Sequence, residues 1–222
     1  MSIVDLSHTI YDGLVTYPGL PAPVITPHLT REDSRARYAP GTEFAMDLIT
    51  IIGNTGTYID SPYHRYEGGT DLAGLDLATL VDLPTEVFHL QDAPDRGIAA
   101  STFFDRPLAG RAVLLHTGWD RHFGTPDYAT GAPFLTEEGT DYLIAQGVTL
   151  VGIDSLNIDD TESDGSRPAH TGLLAAGIHV VEHLTNLGAL PASGALFTAV
   201  PPKVESFGTF PVRAFAKLPA ER

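Results

Sequence analysis

Residues 136–154 read TEEGTDYLIAQGVTLVGID, and this stretch decides the fold class. Thr136 is suited to cap a helix, Glu137, Glu138 and Asp141 match the positive end of its dipole, and Gly147 is a stop. The pattern predicts a helix over 137–146. The apolar run 148–154 follows at once and predicts a buried strand, so the two form an αβ unit. Working outward, further short apolar runs bounded by turn formers predict strands at 85–90 (TEVFHL), 111–116 (RAVLLH), 178–184 (IHVVEHL), 195–200 (ALFTAV) and 210–216 (FPVRAFA). Another is expected within 43–53 (EFAMDLITIIG), and short helices at 101–105 and 169–176. Strands outnumber helices. This predicts a mixed α/β fold with a twisted sheet or partial barrel rather than a regular doubly wound one.

The chain has 222 residues, enough for one domain over 1–222 with a sizeable core. Its first forty residues are loop-rich. YPGLPAPVITP at 17–27 holds four prolines, which predicts an extended N-terminal arm at about 10–42. Thirteen basic against 28 acidic residues give a net charge of −15, which disfavours nucleic acid and anionic membrane surfaces as partners. There is no cysteine, so disulfides, thiolate metal sites and cysteine nucleophiles are excluded. No apolar run approaches a membrane span and MSIVDLSH does not read as a signal peptide, so a soluble cytoplasmic protein is expected. No phosphate-binding glycine loop and no G-x-S-x-G elbow occurs, which points to water as the nucleophile.

Three places carry unusual polar chemistry. In the 178–184 strand, period two puts Ile178, Val180, Glu182 and Leu184 on one face. A carboxylate on an aliphatic face is costly unless it is neutralised, paired or bound to a metal, or unless the strand lies at an edge. The segment NTGTYIDSPYH at 54–64 places Asp60 and His64 four apart among turn formers. Oxygen and imidazole together suit zinc or manganese, although Asp-x-x-x-His alone is common by chance and a plain surface loop is its more frequent origin. The run Asp154 to Asp160 follows a strand end, where acidic side chains either line a site or make Asx turns. Elsewhere, His170 near Pro168 suits a helix start, His8 lies where it could back a site, and Trp119 after a strand suits a pocket floor or core packing. The remaining histidines show no spacing that implies shared ligation.

The 54–64 frame resembles the cyclase superfamily that includes bacterial kynurenine formamidase and isatin hydrolase, whose motif is His-x-Gly-Thr-His-x-Asp-x-Pro-x-His. The resemblance extends to Asp5-Leu6-Ser7-His8, Tyr17-Pro18-Gly19, Thr117-Gly118-Trp119, Gly152-Ile153-Asp154 and the His170 and Glu182 pair. It implies a swivelling β/β/α fold and a homo-oligomer, dimer or tetramer, with 17–27 as an interface segment. It also implies metal ligation by Asp60, His170 and Glu182, proton transfer by His64, and substrate contact by Tyr17. Two motif histidines that bind a metal in the family are here Asn54 and Tyr58. An amide oxygen and a neutral phenol are weak ligands. Two outcomes follow: one divalent ion, zinc or manganese, at Asp60, His170 and Glu182, or a metal-free site in which Tyr58, His64 and the carboxylates do acid–base work.

Three functions are therefore open. The first is a hydrolase of a small amide or cyclic amide, with metal-activated water, a His64 proton shuttle, and Tyr17, Tyr63 and Trp119 contacting a small-molecule substrate. The second is a metal-independent cyclase or dehydratase on a small carbonyl metabolite, with Tyr58 and His64 as acid and base and Asn54 at the oxyanion. The third is a non-catalytic ligand-binding descendant.

Overall fold

The computed structural model describes residues 2–219. In chain order its strands are β1 (Ile3–Asp5), β2 (Val24–Leu29), β3 (Met46–Thr50), β4 (Tyr58–Asp60), β5 (Leu83–His89), β6 (Gly97–Ile98), β7 (Ala112–His116), β8 (Phe134–Leu135), β9 (Leu150–Ile153), β10 (His179–Glu182), β11 (Ser193–Thr198), β12 (Thr209–Pro211) and β13 (Phe215–Lys217). The α-helices are α1 (Arg31–Ser34), α2 (Glu137–Ala145) and α3 (Pro168–Ala175). The expected αβ unit is present: the Thr136 hydroxyl accepts from Gly139 N–H at the start of α2, and Gly147 turns out of it with φ 68°. The helix expected at 101–105 is a 3-10 turn, Ala100–Phe103.

Nine strands form one sheet in the order β1-β13-β11-β5-β7-β9-β10-β4-β12. The four central strands β5, β7, β9 and β10 run parallel, and antiparallel strands flank them on both sides. The strand expected over 210–216 is two strands, β12 and β13, at opposite ends of this order. A flat sheet would hold them seven spacings apart, about 34 Å. The connector 212–214 reaches at most about 14 Å. The sheet must therefore curl until its ends nearly meet, which makes the expected partial barrel. Contacts across the seam agree: Thr185 N–H bonds Leu6 O, and Ser7 bridges Leu184.

Alternation along the parallel strands builds two cores. Val87, Leu114, Val181 and Phe197 face the inside of the curl with Leu6, Ile59 and Ala214. Phe88, Val113, Leu115, Val151 and Val180 face outward, under Leu143 of α2 and Leu173 and Leu174 of α3. Gly152 has no side chain because a Cβ there would come within 2.7 Å of both Leu114 and Leu184. The alternation expected for 178–184 fails at its end. Leu184 joins the cluster of Val181 rather than that of Val180, because His183 adopts φ 55° and breaks the pleat.

The strand expected at 43–53 is present as β3 but lies outside the main sheet. It pairs only with β2, which falls in the proline-rich stretch, as a two-stranded ribbon. No helix among the described residues is long and apolar enough to cross a membrane.

Candidate active site

The site is assembled where β4 is clasped between β10 and β12. Register places Glu182 opposite Tyr58, and Thr209 opposite Asp60. These side chains therefore meet as cross-strand pairs. The Tyr58 hydroxyl donates to Glu182 Oε2 at 2.5 Å, and the Thr209 hydroxyl donates to Asp60 Oδ1 at 2.5 Å. A 3-10 turn, Pro62–His64, follows β4 and sets His64 Nδ1 2.7 Å from the same Thr209 hydroxyl. Gly208 permits that approach, since a Cβ there would lie 2.5 Å from the His64 backbone nitrogen.

His170 arrives from the first turn of α3. Its N-cap residue, Arg167, makes no side-chain capping bond. Asp159 takes that role from a distance: its carboxylate accepts from Ala169 N–H at 2.7 Å and from His170 N–H at 3.1 Å. It also binds His170 Nδ1 at 2.6 Å. One buried carboxylate thus satisfies a helix end and fixes an imidazole, leaving Nε2 as the free nitrogen. That Nε2 lies 3.6 Å from Asp60 Oδ2 and 3.6 Å from Glu182 Oε1. Glu182 Oε1 additionally accepts from Ile158 N–H at 2.6 Å.

Electrostatics mark this spot as strained. Asp60 and Glu182 are both essentially without solvent exposure. Burial raises the Glu182 pKa to about 7, against the pull of His170. For Asp60 burial also opposes ionisation, but His170, His64 and Thr209 outweigh it and the pKa falls. Burial likewise lowers that of His170, and the carboxylates of Glu182, Asp159 and Asp60 overcome it and raise it well above the usual value. Tyr58 is held protonated by burial and by Glu182 and Asp60. Asp60 Oδ2 is buried and has no hydrogen-bond partner. Ligand atoms of Asp60, His64 and His170 lie within 4.8 Å of one another. An orphaned carboxylate oxygen facing a free imidazole nitrogen and a second carboxylate is a donor set that fits a divalent cation.

A cavity of about 200 Å³ opens onto these groups, lined by Asn54, Tyr58, His64, Arg65, Asn157, Arg167, His170 and Glu182. Sequence reasoning thus named five of the lining residues, and the structure brings Asn54, Tyr58, His64, Asp60, His170 and Glu182 together. The three aromatic candidates lie outside this lining. Tyr63 shares the turn with His64. Tyr17 and Trp119 pack with Phe123 against Tyr128, Ala132 and Leu156. Trp119 lines a different cavity with Thr117 and Arg121. Buried Asp154 explains that placement: it accepts from Thr117 N–H, the Thr117 hydroxyl and Gly118 N–H, pinning the turn that leads into Trp119, whose indole donates to Tyr128 O at 3.0 Å. His8 stacks on Phe123 with centroids 3.6 Å apart. Sequence reasoning missed Thr209 and the two arginines, and it weighed Asp159 only as part of an acidic run.

Comparison with known proteins identifies relatives of the whole chain. A kynurenine formamidase from Geobacillus thermodenitrificans is 29% identical over 211 residues, covering 95% of each chain. An isatin hydrolase from Roseibium aggregatum is 26% identical over 203 residues, covering 81% of this chain and 77% of that one. Among solved structures, an isatin hydrolase bound to the product analogue thioisatinate superimposes with a TM-score of 0.83 over 98% of this chain and 92% of that one, at 24% identity. A structure described as a potential metal-dependent hydrolase with cyclase activity gives 0.78 over 97% and 96%, at 26% identity. The family model described as Putative cyclase matches residues 4–160, and the chain belongs to that family.

Proposed function

We propose that the chain hydrolyses a small amide or cyclic amide. The observation that carries this reading is the convergence of Asp60 Oδ2, which no donor reaches, with His170 Nε2 and Glu182 Oε1. Asp60, His170 and Glu182, with His64 beside them, would hold one divalent ion, zinc or manganese, by a mixed nitrogen and oxygen donor set. A bound ion there supplies Lewis-acid polarisation of a carbonyl and a water of lowered pKa.

The chain's own residues supply the rest. The Thr209 hydroxyl has one proton and gives it to Asp60, so it accepts from His64. The neutral form of His64 therefore carries its proton on Nδ1 and presents Nε2 as the base. That nitrogen takes the proton of the attacking water and returns it to the leaving nitrogen. Asn54, on the cavity wall, offers an amide N–H to the carbonyl oxygen as charge develops. Tyr58 keeps its proton and orients Glu182. Arg65 and Arg167 line the same cavity and form no ion pair with a carboxylate among the described residues, which suits a substrate bearing an anionic substituent. Contact by Tyr17, Tyr63 and Trp119 falls to parts of the substrate that extend beyond the cavity.

A homo-oligomer, dimer or tetramer, belongs to this reading. The β2–β3 ribbon exposes Val24, Ile25, Met46, Leu48 and Ile49. An isolated two-stranded ribbon is marginal in water; alternation puts Val24, Met46 and Leu48 on one face and Ile25 and Ile49 on the other, so both faces carry apolar surface that suits an interface. The chain's accessible surface of 11102 Å² exceeds the roughly 9,800 Å² of a compact monomer of this mass, as a protruding arm requires. The acidic, cysteine-free composition suits the cytoplasm.

The test is elemental analysis of protein purified without chelators, followed by incubation with aryl formamides and cyclic amides. One equivalent of metal is expected, with products heavier than a cyclic substrate by one water and activity lost on chelation. Metal-free protein with undiminished activity would overturn the reading, and so would a product of unchanged mass.

A further inference from the structure

His183 takes no part in the chemistry above, yet it is the most constrained histidine in the molecule. It is fully buried and holds φ 55°, a conformation rare for a residue other than glycine. Three backbone contacts keep it there: the Thr57 hydroxyl donates to His183 O at 2.6 Å, Leu184 N–H bonds Ile153 O, and Ser7 bridges Leu184. The result of that conformation is that both ring nitrogens meet tyrosine hydroxyls. Nδ1 lies 2.9 Å from the Tyr128 hydroxyl, and Nε2 lies 3.4 Å from the Tyr58 hydroxyl.

The directions of these bonds are determined. Tyr58 gives its only hydroxyl proton to Glu182 Oε2, so its oxygen accepts from His183 Nε2–H. His183 Nδ1 is then the acceptor, and Tyr128 donates to it. A single directed chain runs Tyr128 to His183 to Tyr58 to Glu182, entirely through buried atoms. Its far end, Tyr128, carries the cluster that holds Tyr17 and Trp119.

We propose that His183 is a positioning residue for the active site: by occupying the Tyr58 oxygen from behind it aims the hydroxyl proton at Glu182 Oε2 and leaves Oε1 turned toward His170. This deepens the functional reading above and rests on it, since Glu182 matters here as a ligand. Without the His183 donor the Tyr58 oxygen keeps only its contact with Asn54, and the hydroxyl that fixes the plane of Glu182 is held less firmly. Partners of this kind change the affinity of a ligand set by about 10- to 100-fold.

The test uses His183→Asn, Tyr58→Phe and the double variant. Asparagine tolerates the left-handed backbone but is too short to span both tyrosines. Each protein is measured in two ways: by competition with a chelator for zinc or manganese alone, and by kcat and KM on the amide that the wild type cleaves. Each single variant is expected to hold the ion about 10- to 100-fold less tightly. His183→Asn should also lower kcat while KM changes less than about twofold, because His183 does not line the cavity. The double variant is expected to be no worse than Tyr58→Phe, since one change acts through the other. His183→Asn with wild-type ion retention and kcat overturns the proposal, as do losses that multiply in the double variant. If His183→Asn does not fold, Tyr128→Phe removes only the far hydroxyl and is expected to shift both readouts in the same direction; no shift overturns the proposal. A wild type that retains no ion overturns the functional reading and this proposal together.

Discussion

Replacing Asp159 by asparagine isolates the charge of one buried carboxylate while keeping its shape. Asp159 accepts three hydrogen bonds, from Ala169 N–H, His170 N–H and His170 Nδ1–H. The amide offers one accepting oxygen where the carboxylate offers two. With that oxygen kept for His170, two bonds become neutral and each weakens by roughly 1 kcal/mol. The amide nitrogen then faces Ala169 N–H, and that buried, unpaired donor costs about 1–3 kcal/mol. The sum is about 3–5 kcal/mol, or roughly 10 °C in Tm for a chain of this size. His170 also loses the partner that fixes its tautomer, so ion retention should fall about 10- to 100-fold. Thermal unfolding of the metal-free protein reads the first quantity, and chelator competition reads the second. A variant within about 1 kcal/mol of wild type, holding its ion equally well, would refute the assignment of Asp159 as both helix cap and imidazole anchor.

Other outcomes follow from features away from the ligands. His179 is buried and burial lowers its pKa to about 4, below the 6.5 of the unfolded chain. Its neutral form therefore stabilises the fold above about pH 6.5, and that contribution is lost as pH falls toward 4. Between pH 7 and 5 the wild type should lose about 2 kcal/mol more than His179→Gln in denaturant titrations, and parallel losses would contradict this. Arg65→Gln with Arg167→Gln should raise KM about tenfold for a carboxylate-bearing amide and leave a neutral analogue within twofold, as steady-state kinetics would show. Leu48→Glu with Ile49→Glu should lower the solution mass by sedimentation from the oligomer to a smaller species, whereas an unchanged mass would remove the ribbon as the interface.

Much of the architecture is legible locally. Helix 137–145 carries its own cap and stop, and the strands at its side are uninterrupted apolar runs. The sequence of β4 is not legible, because Tyr58-Ile59-Asp60 is three residues long and sits among glycines; tertiary pairing on both sides makes it a strand. The break between β12 and β13 was hidden for the same reason: FPVRAFA is a continuous apolar run, and only the curl of the sheet separates its halves. Glu182 was visible because a carboxylate on an aliphatic strand needs an explanation. Asp159 was not, since the Asn157 side chain makes the ordinary Asx turn to Asp159 N–H that such runs predict. Thr209 and His183 offer no local signal, because their partners lie 149 and 125 residues away.

The pairing of β4 with β12 bears on how the chain comes off the ribosome. Tyr58 and Asp60 are made about 150 residues before the strand that covers their free edge, Thr209–Pro211. Until that segment emerges, β4 is an open template beside a half-built acidic pocket, with the apolar inner wall of the curl still missing Val212, Ala214 and Ala216. Assembly of the site is thus completed by the segment 209–216, and a nascent chain cut short before Thr209 should be insoluble rather than merely inactive.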